Sequence, residues 1–186
     1  MAAERVDRVL DAAIAVLGAQ GPRRLTHRAV DAAAGLPAGS TSNYFRTRDA
    51  LVDGIVARIE ALERQEWEAL AGQPRPMTVD ELTGALTRLL HHATGPAGPR
   101  TTARHALFLE AAARPELRPA LTRSRDAITA WATAWIAALG SRRPEVHCRL
   151  VLDYLDGVIL HQLAFPDPAF DPAPAVRALL AGLLSP

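Results

Sequence analysis

Arg28 stands one turn into a short apolar-periodic segment that opens at Thr26, and its planar fork of donors is shaped for the O6 and N7 acceptors of a guanine. Further along, Pro37-Ala38-Gly39-Ser40-Thr41-Ser42-Asn43 is small and polar almost throughout. A core could use very little of it. Its hydroxyls suit either base, the small apolar surfaces of Pro37 and Ala38 suit thymine methyls, and Gly39 permits close backbone approach. Other chemistry-bearing residues are scattered. Arg104 sits beside His105 in a stretch rich in Ala, Leu and Phe, where a charge needs a partner: Glu110, another acid or an anionic ligand. Trp131 and Trp135 are one turn apart, a spacing that serves packing more often than a pocket. His91 and His92 are adjacent, so they diverge on a helix and do not chelate together. Cys148 is the single cysteine, which excludes an internal disulfide, and free cysteine is usually core. There is no paired His-x-x-Glu, no nucleophile with base and orienter, and no glycine-rich phosphate loop, so an enzyme, a metal centre or a cofactor site is not expected.

The elements that must position these residues are helices. Apolar residues recur at three- and four-residue steps nearly everywhere, and β-branched alternation never persists, so the chain of 186 residues is all-α. Breakers divide it into nine segments: Glu4 to Ala19, Thr26 to Ala34, Pro37 to Asn43, Thr47 to about Leu70, Val79 to about Ala93, Thr101 to Ala113, Glu116 to Leu139, Pro144 to Ala164 and Pro172 to Leu184. The dividers include Gly21-Pro22, Gly35 and the run Gly72 to Pro76. Thr26 and Thr47 read as N-caps, and Pro37 as a helix opener that loses no hydrogen bond. No apolar run reaches the roughly 18 residues a bilayer requires, and Glu4, Asp7 and Asp11 stand where a signal peptide carries only basic residues, so a soluble cytoplasmic protein is expected. A net charge of +1, with every basic residue an arginine, is no argument for nucleic acid. If DNA is bound, a local surface must bind it.

Leu25 to Leu51 supplies that surface: a helix, a tight glycine turn with small Ala34 and Gly35 at the crossing, and a second short helix with a polar face, which is the physical content of a helix-turn-helix. The stretch LTHRAVDAAAGLPAGSTSNYFRTRDALVDGI closely resembles the head of the TetR/AcrR family, over about residues 4 to 60. The resemblance implies a DNA-binding head at 1–50, a helical ligand-binding and dimerisation body at 51–186, and a regulator, most simply a repressor released by a small-molecule inducer. One departure is that the family usually carries Tyr in the middle of its recognition helix where this chain has Ser42, so the contact attributed to that ring has no counterpart. Arg28 is assigned direct base readout, with Pro37, Ala38, Gly39, Ser40 and Thr41 at the groove end of the recognition helix. Thr26, His27, Asn43, Tyr44 and Arg48 are assigned to phosphates, which set register without reading sequence.

One head covers one half-site, so a homodimer on a pseudo-palindromic operator is expected. The segments Pro144 to Ala164 and Pro172 to Leu184 are apolar nearly all round. Leu152, Leu155, Ile159 and Leu163 of the first and Val176, Leu179, Leu180 and Leu183 of the second are assigned to a four-helix interface. Candidate ligand-lining residues are Trp67, Arg104, His105, Phe108, Trp131, Trp135, Tyr154 and His161. The competing reading is a helical small-molecule carrier with a vestigial DNA-binding head, which binds its ligand and ignores DNA.

Overall fold

The computed structural model describes residues 2–71 and 78–184, leaving aside the side chains at 2, 67–71, 120, 124 and 127. The expected divider Gly72 to Pro76 and the side chain of Trp67 lie outside these described residues. Within them are nine α-helices and no strand: α1 (Ala2–Gln20), α2 (His27–Ala34), α3 (Ser40–Tyr44), α4 (Arg48–Ala71), α5 (Val79–Thr94), α6 (Gly98–Ala113), α7 (Arg118–Ala138), α8 (Pro144–Ala164) and α9 (Ala173–Leu184). Short 3-10 turns at Pro22–Arg24 and Pro115–Leu117 precede α2 and α7. No described helix is long and apolar enough to cross a membrane.

The caps behave as their side chains dictate. Thr26 Oγ1 accepts from the Ala29 amide at 3.1 Å, Thr47 Oγ1 from the Ala50 amide at 3.1 Å, and Thr78 forms a reciprocal box with Glu81 at the head of α5. Gly35 ends α2 in the left-handed region at φ 62°, which costs a glycine nothing. The third helix departs from expectation. It starts at Ser40, not Pro37, because Gly39 itself adopts φ 89° and the residues Pro37 to Gly39 form the turn that leads in.

The chain divides into two compact units. The first runs through Glu66 and resumes over Gly98–Ser124. Its core joins Val9, Ala13, Ile14 and Leu17 of α1 to Val30 of α2, to Leu51, Val52, Ile55 and Val56 of α4, and to Ala103 and Leu107 of α6. The α1–α6 approach is so close that a Cβ on Gly18 would stand 2.0 Å from the Pro99 carbonyl oxygen. Gly54 of α4 likewise leaves room for the Phe45 ring, which seats the segment after α3 against the core. Arg58 of α4 reaches α1, binding both carboxylate oxygens of Asp11 at 2.8 and 3.0 Å and Asp7 at 3.1 Å.

The second unit comprises Trp67–Ala97 and the residues from Arg125 onward. Leu82 and Leu90 of α5, Trp135 and Ile136 of α7, Cys148, Val151, Leu155 and Ile159 of α8, and Val176 and Leu180 of α9 form its core. Four of the residues expected at the interface are core of the subunit itself. Leu155 and Ile159 are 4% exposed, Val176 1% and Leu180 0%, while Leu152, Leu163, Leu179 and Leu183 are half-buried against the same core. These residues hold the subunit's own helices together. The apolar residues that α8 turns outward are Val146, Leu150 and Leu160, 41%, 47% and 50% exposed. A helix apolar on two faces offers both to a partner, and periodicity does not say which one α5 and α7 will cover.

Candidate nucleic-acid interface

α3 has only five residues, too few to hold itself together, and its one buried residue is polar: Thr41, 0% exposed. The group it meets is Asp31, on the second turn of α2 and 3% exposed. Asp31 Oδ2 accepts from the Gly39 amide at 2.7 Å, and Oδ1 accepts from both the Thr41 amide at 2.7 Å and the Thr41 hydroxyl at 2.6 Å. One carboxylate thus takes up the first free amides of α3 and the one hydroxyl that α3 sends inward. Burial alone would push the Asp31 carboxyl up, but the Thr41 hydroxyl and amide, the Gly39 amide and the nearby His27 together hold it below the ordinary carboxylate range. With the folded value lower than the unfolded one of about 3.9, its contribution to stability is complete above that value and disappears as pH falls through the folded value. Urea titrations between pH 7 and pH 2 should therefore show wild type losing more stability on acidification than Asp31→Asn. Parallel pH profiles would refute the assignment.

Arg28 is exposed on the first turn of α2, and no other described residue pairs with its guanidinium. Pro37, Ala38 and Gly39 are exposed in the turn, and Ser42, Asn43 and Tyr44 on α3. Thr26 is exposed too. Its oxygen accepts from Ala29, and its O–H remains available as a donor. Since α2 packs directly on α3, the structure brings Thr26, Arg28 and these residues to neighbouring elements of the head. Four of the expected contact residues have partners within the protein. Thr41 faces Asp31 and not the solvent. Ser40 donates its hydroxyl to the Pro37 carbonyl at 2.6 Å and closes the lead-in turn. His27 Nε2 lies 2.6 Å from the Phe45 carbonyl, tying α2 to the end of α3. Arg48, its side chain 42% exposed, pairs with Glu110 of α6 at 3.0 Å and donates to the Pro22 carbonyl at 3.3 Å. Sequence reasoning missed Asp31. The available signal was an acid in a short helix facing a threonine across a glycine turn.

The ligand candidates separate. Trp131 and Trp135, with ring centroids 3.9 Å apart, line a cavity of about 30 Å3 in the second unit, together with Leu86, Ile128, Cys148 and Leu152 among others. Burial pushes the Cys148 thiol up, so it packs there as a small apolar group. Tyr154 and His161 are not among the lining residues. Tyr154 packs against the core, and His161 pairs its ring with Phe165 at 6.1 Å. Arg104, His105 and Phe108 belong to the first unit. There Arg104 lies 3.5 Å from Glu63 and over the Phe108 ring at 5.3 Å, which supplies the partner that its charge requires.

A five-residue outward helix on a helical head, followed by an all-helical body with an apolar cavity, defines a helix-turn-helix regulator. Residues 9–55 match the family described as bacterial regulatory proteins, tetR family, and residues 77–186 match the tetracyclin repressor-like C-terminal domain. The chain belongs to the TetR family of transcriptional regulators, which are DNA-binding proteins and not enzymes. Similar solved structures include the multidrug binding protein EbrR complexed with ethidium, at 30% identity and TM-score 0.69 over 96% of this chain and 98% of that one. A TetR family member from Streptomyces coelicolor A3 is 30% identical, with TM-score 0.72 over 97% of this chain and 98% of its own. A TetR-family transcriptional regulator from Rhodococcus sp. shares the fold at 21% identity, with TM-score 0.78 over 98% and 100% of the two chains. No curated protein matches the sequence.

Proposed function

We propose that the protein is a cytoplasmic repressor whose residues 1–50 bind DNA and whose residues 51–186 dimerise and sense a ligand. Two copies occupy a pseudo-palindromic operator and leave it when a small molecule enters the body. The observation that carries this reading is α3 itself, which turns Ser42, Asn43 and Tyr44 outward and is anchored through one buried polar residue, an arrangement with no use in a purely structural helix. The dimer surface is the outward face of α8, Val146, Leu150, Gly157 and Leu160, beside the small exposed residues Ala178 and Gly182 of α9. Gly157 and Gly182 have open space where a Cβ would stand, which suits close approach of a partner helix.

The ligand site is the Trp131–Trp135 cavity. Its lining is apolar, and EbrR, 30% identical, was solved with ethidium and with proflavin, so flat aromatic molecules are the proposed class. A cavity of about 30 Å3 has room for little more than one water, whereas drug-sized ligands occupy roughly 300–1,000 Å3. Ligand binding therefore requires a different packing of α5, α7 and α8. A molecule that binds only the opened form shifts the population toward it, which is the coupling an inducer needs.

The test is selection of bound fragments from genomic DNA by the purified full-length protein, followed by titration with proflavin. The selected duplex should be retained with an affinity that falls steeply with added salt. Proflavin should quench tryptophan fluorescence and release the duplex over the same concentration range. A dimer that binds proflavin but selects no sequence would be a carrier, and the repressor reading would be wrong.

A further inference from the structure

We infer that Asp31 is the positioning residue of the DNA-reading surface: its carboxylate sets the angle at which α3 leaves the head, and through it the sequence preference of the protein. The inference rests on the reading that α3 enters the groove.

The longer helices α1, α2, α4 and α6 of the first unit are each fastened by an apolar face. α3 is not. Among its residues only Thr41 is buried, and Thr41, Gly39 and Asp31 are joined by three short hydrogen bonds, at 2.6, 2.7 and 2.7 Å. Apolar packing is non-directional and tolerates sliding, whereas hydrogen bonds to an ionised acceptor weaken steeply with angle. The three donors converge on the two oxygens of a single carboxylate, Gly39 on Oδ2 and the amide and hydroxyl of Thr41 on Oδ1. This fixes rotation of α3 about its own axis as well as its position. Gly39 at φ 89° is the hinge immediately before it, and its amide is one of the three donors. Rotation of so short a helix redirects Ser42 and Asn43 together, both of which face outward.

The chemistry of the three partners also specifies the acid. All are donors, so the position needs acceptors only. Asparagine would turn an N–H2 toward one of them, and glutamate would carry the carboxylate too far by a methylene. No neutral or longer side chain reproduces the cradle. The surrounding core of Val9, Ile14, Val30, Leu51 and Ile55 does not depend on it, so loss of the carboxylate should free α3 while α1, α2 and α4 stay folded.

The experiment compares Asp31→Ala, Thr41→Val and Val30→Ala in the full-length protein, using the duplex selected by the wild type and a scrambled duplex of equal composition. Val30 is a fully buried neighbour of Asp31 whose side chain can take no part in the hydrogen bonds to Gly39 and Thr41, so it reports plain loss of head stability. At a temperature where all variants are folded, Asp31→Ala should lower affinity for the selected duplex roughly tenfold per head, about a hundredfold per dimer, with little change on the scrambled duplex. Thr41→Val, nearly equal in volume, removes one of the three bonds and should lose about tenfold per dimer in the same preference. Val30→Ala should lower the melting temperature yet keep the preference. Hydrogen exchange should show lost protection confined to Gly39 and Thr41 in Asp31→Ala. Wild-type preference in both Asp31→Ala and Thr41→Val would overturn the inference, and so would an equal loss of preference in Val30→Ala. If Asp31→Ala does not fold, Thr41→Val decides. Failure of the wild type to select any duplex would instead strike the reading of α3 as the groove element.

Discussion

Replacing Leu150 and Leu160 together with glutamate should convert the protein to a monomer and lower its affinity for the selected duplex by about a thousandfold or more. Both side chains are about half exposed in the single subunit, so the change costs the subunit little of its own core. Val146, Leu150, Gly157 and Leu160 recur at intervals of three, four and seven, so they lie along one side of α8. In an isologous interface each substituted position meets the equivalent patch of the partner, which places like charges face to face around the two-fold axis. A lone head retains only half of the operator contacts. Linking two such heads is generally worth 10²–10⁴ in affinity, and that factor is what the monomer forfeits. Sedimentation velocity should show the shift in mass, with circular dichroism and melting temperature close to wild type. A variant that still sediments as a dimer would assign the interface elsewhere.

Arg28→Ala should remove the preference at one base pair in each half-site and leave the remaining positions unchanged. The side chain is exposed and carries no ion pair among the described residues, so its deletion leaves nothing uncompensated in the fold. A bidentate arginine–guanine contact is worth about 1–3 kcal/mol of discrimination, so the dimer should lose roughly twice that on the selected duplex. A random-pool selection repeated with the variant reads the outcome directly, as one column of the recovered motif flattening on each side of the dyad. An unchanged motif would return Arg28 to the role of a solvated surface arginine. Arg48→Ala is expected to behave differently from a pure phosphate contact, since Arg48 is already paired with Glu110 and the Pro22 carbonyl, and its removal disturbs the head as well as the DNA.

Helix number and the caps at Thr26, Thr47 and Gly35 were legible because they depend on interactions within a few residues. A side-chain oxygen reaches an amide three positions on, and a glycine takes a positive φ, wherever the rest of the chain goes. The head was legible for the same reason, being a compact run of helix, turn and helix whose outward segment lacks apolar residues. The start of α3 was not, because Pro37 satisfied the rule for a first helical position while Gly39 carried the left-handed turn that delays the helix.

What adjacent residues decide among themselves was therefore settled in the amino-acid order: an all-helical chain, a helix-turn-helix at Leu25 to Leu51, and Arg28 at an exposed helix start. Contacts between residues far apart in the chain required the fold. Leu155, Ile159, Val176 and Leu180 became core and Leu150 and Leu160 surface only once α5 and α7 had chosen a side of α8. Arg48 and His27 found partners within the protein because Glu110 and the Phe45 carbonyl lay within reach. Asp31 gained its role only when a glycine turn folded Thr41 back over it, since a hydrogen bond needs both partners at about 3 Å and a one-dimensional string does not measure that distance.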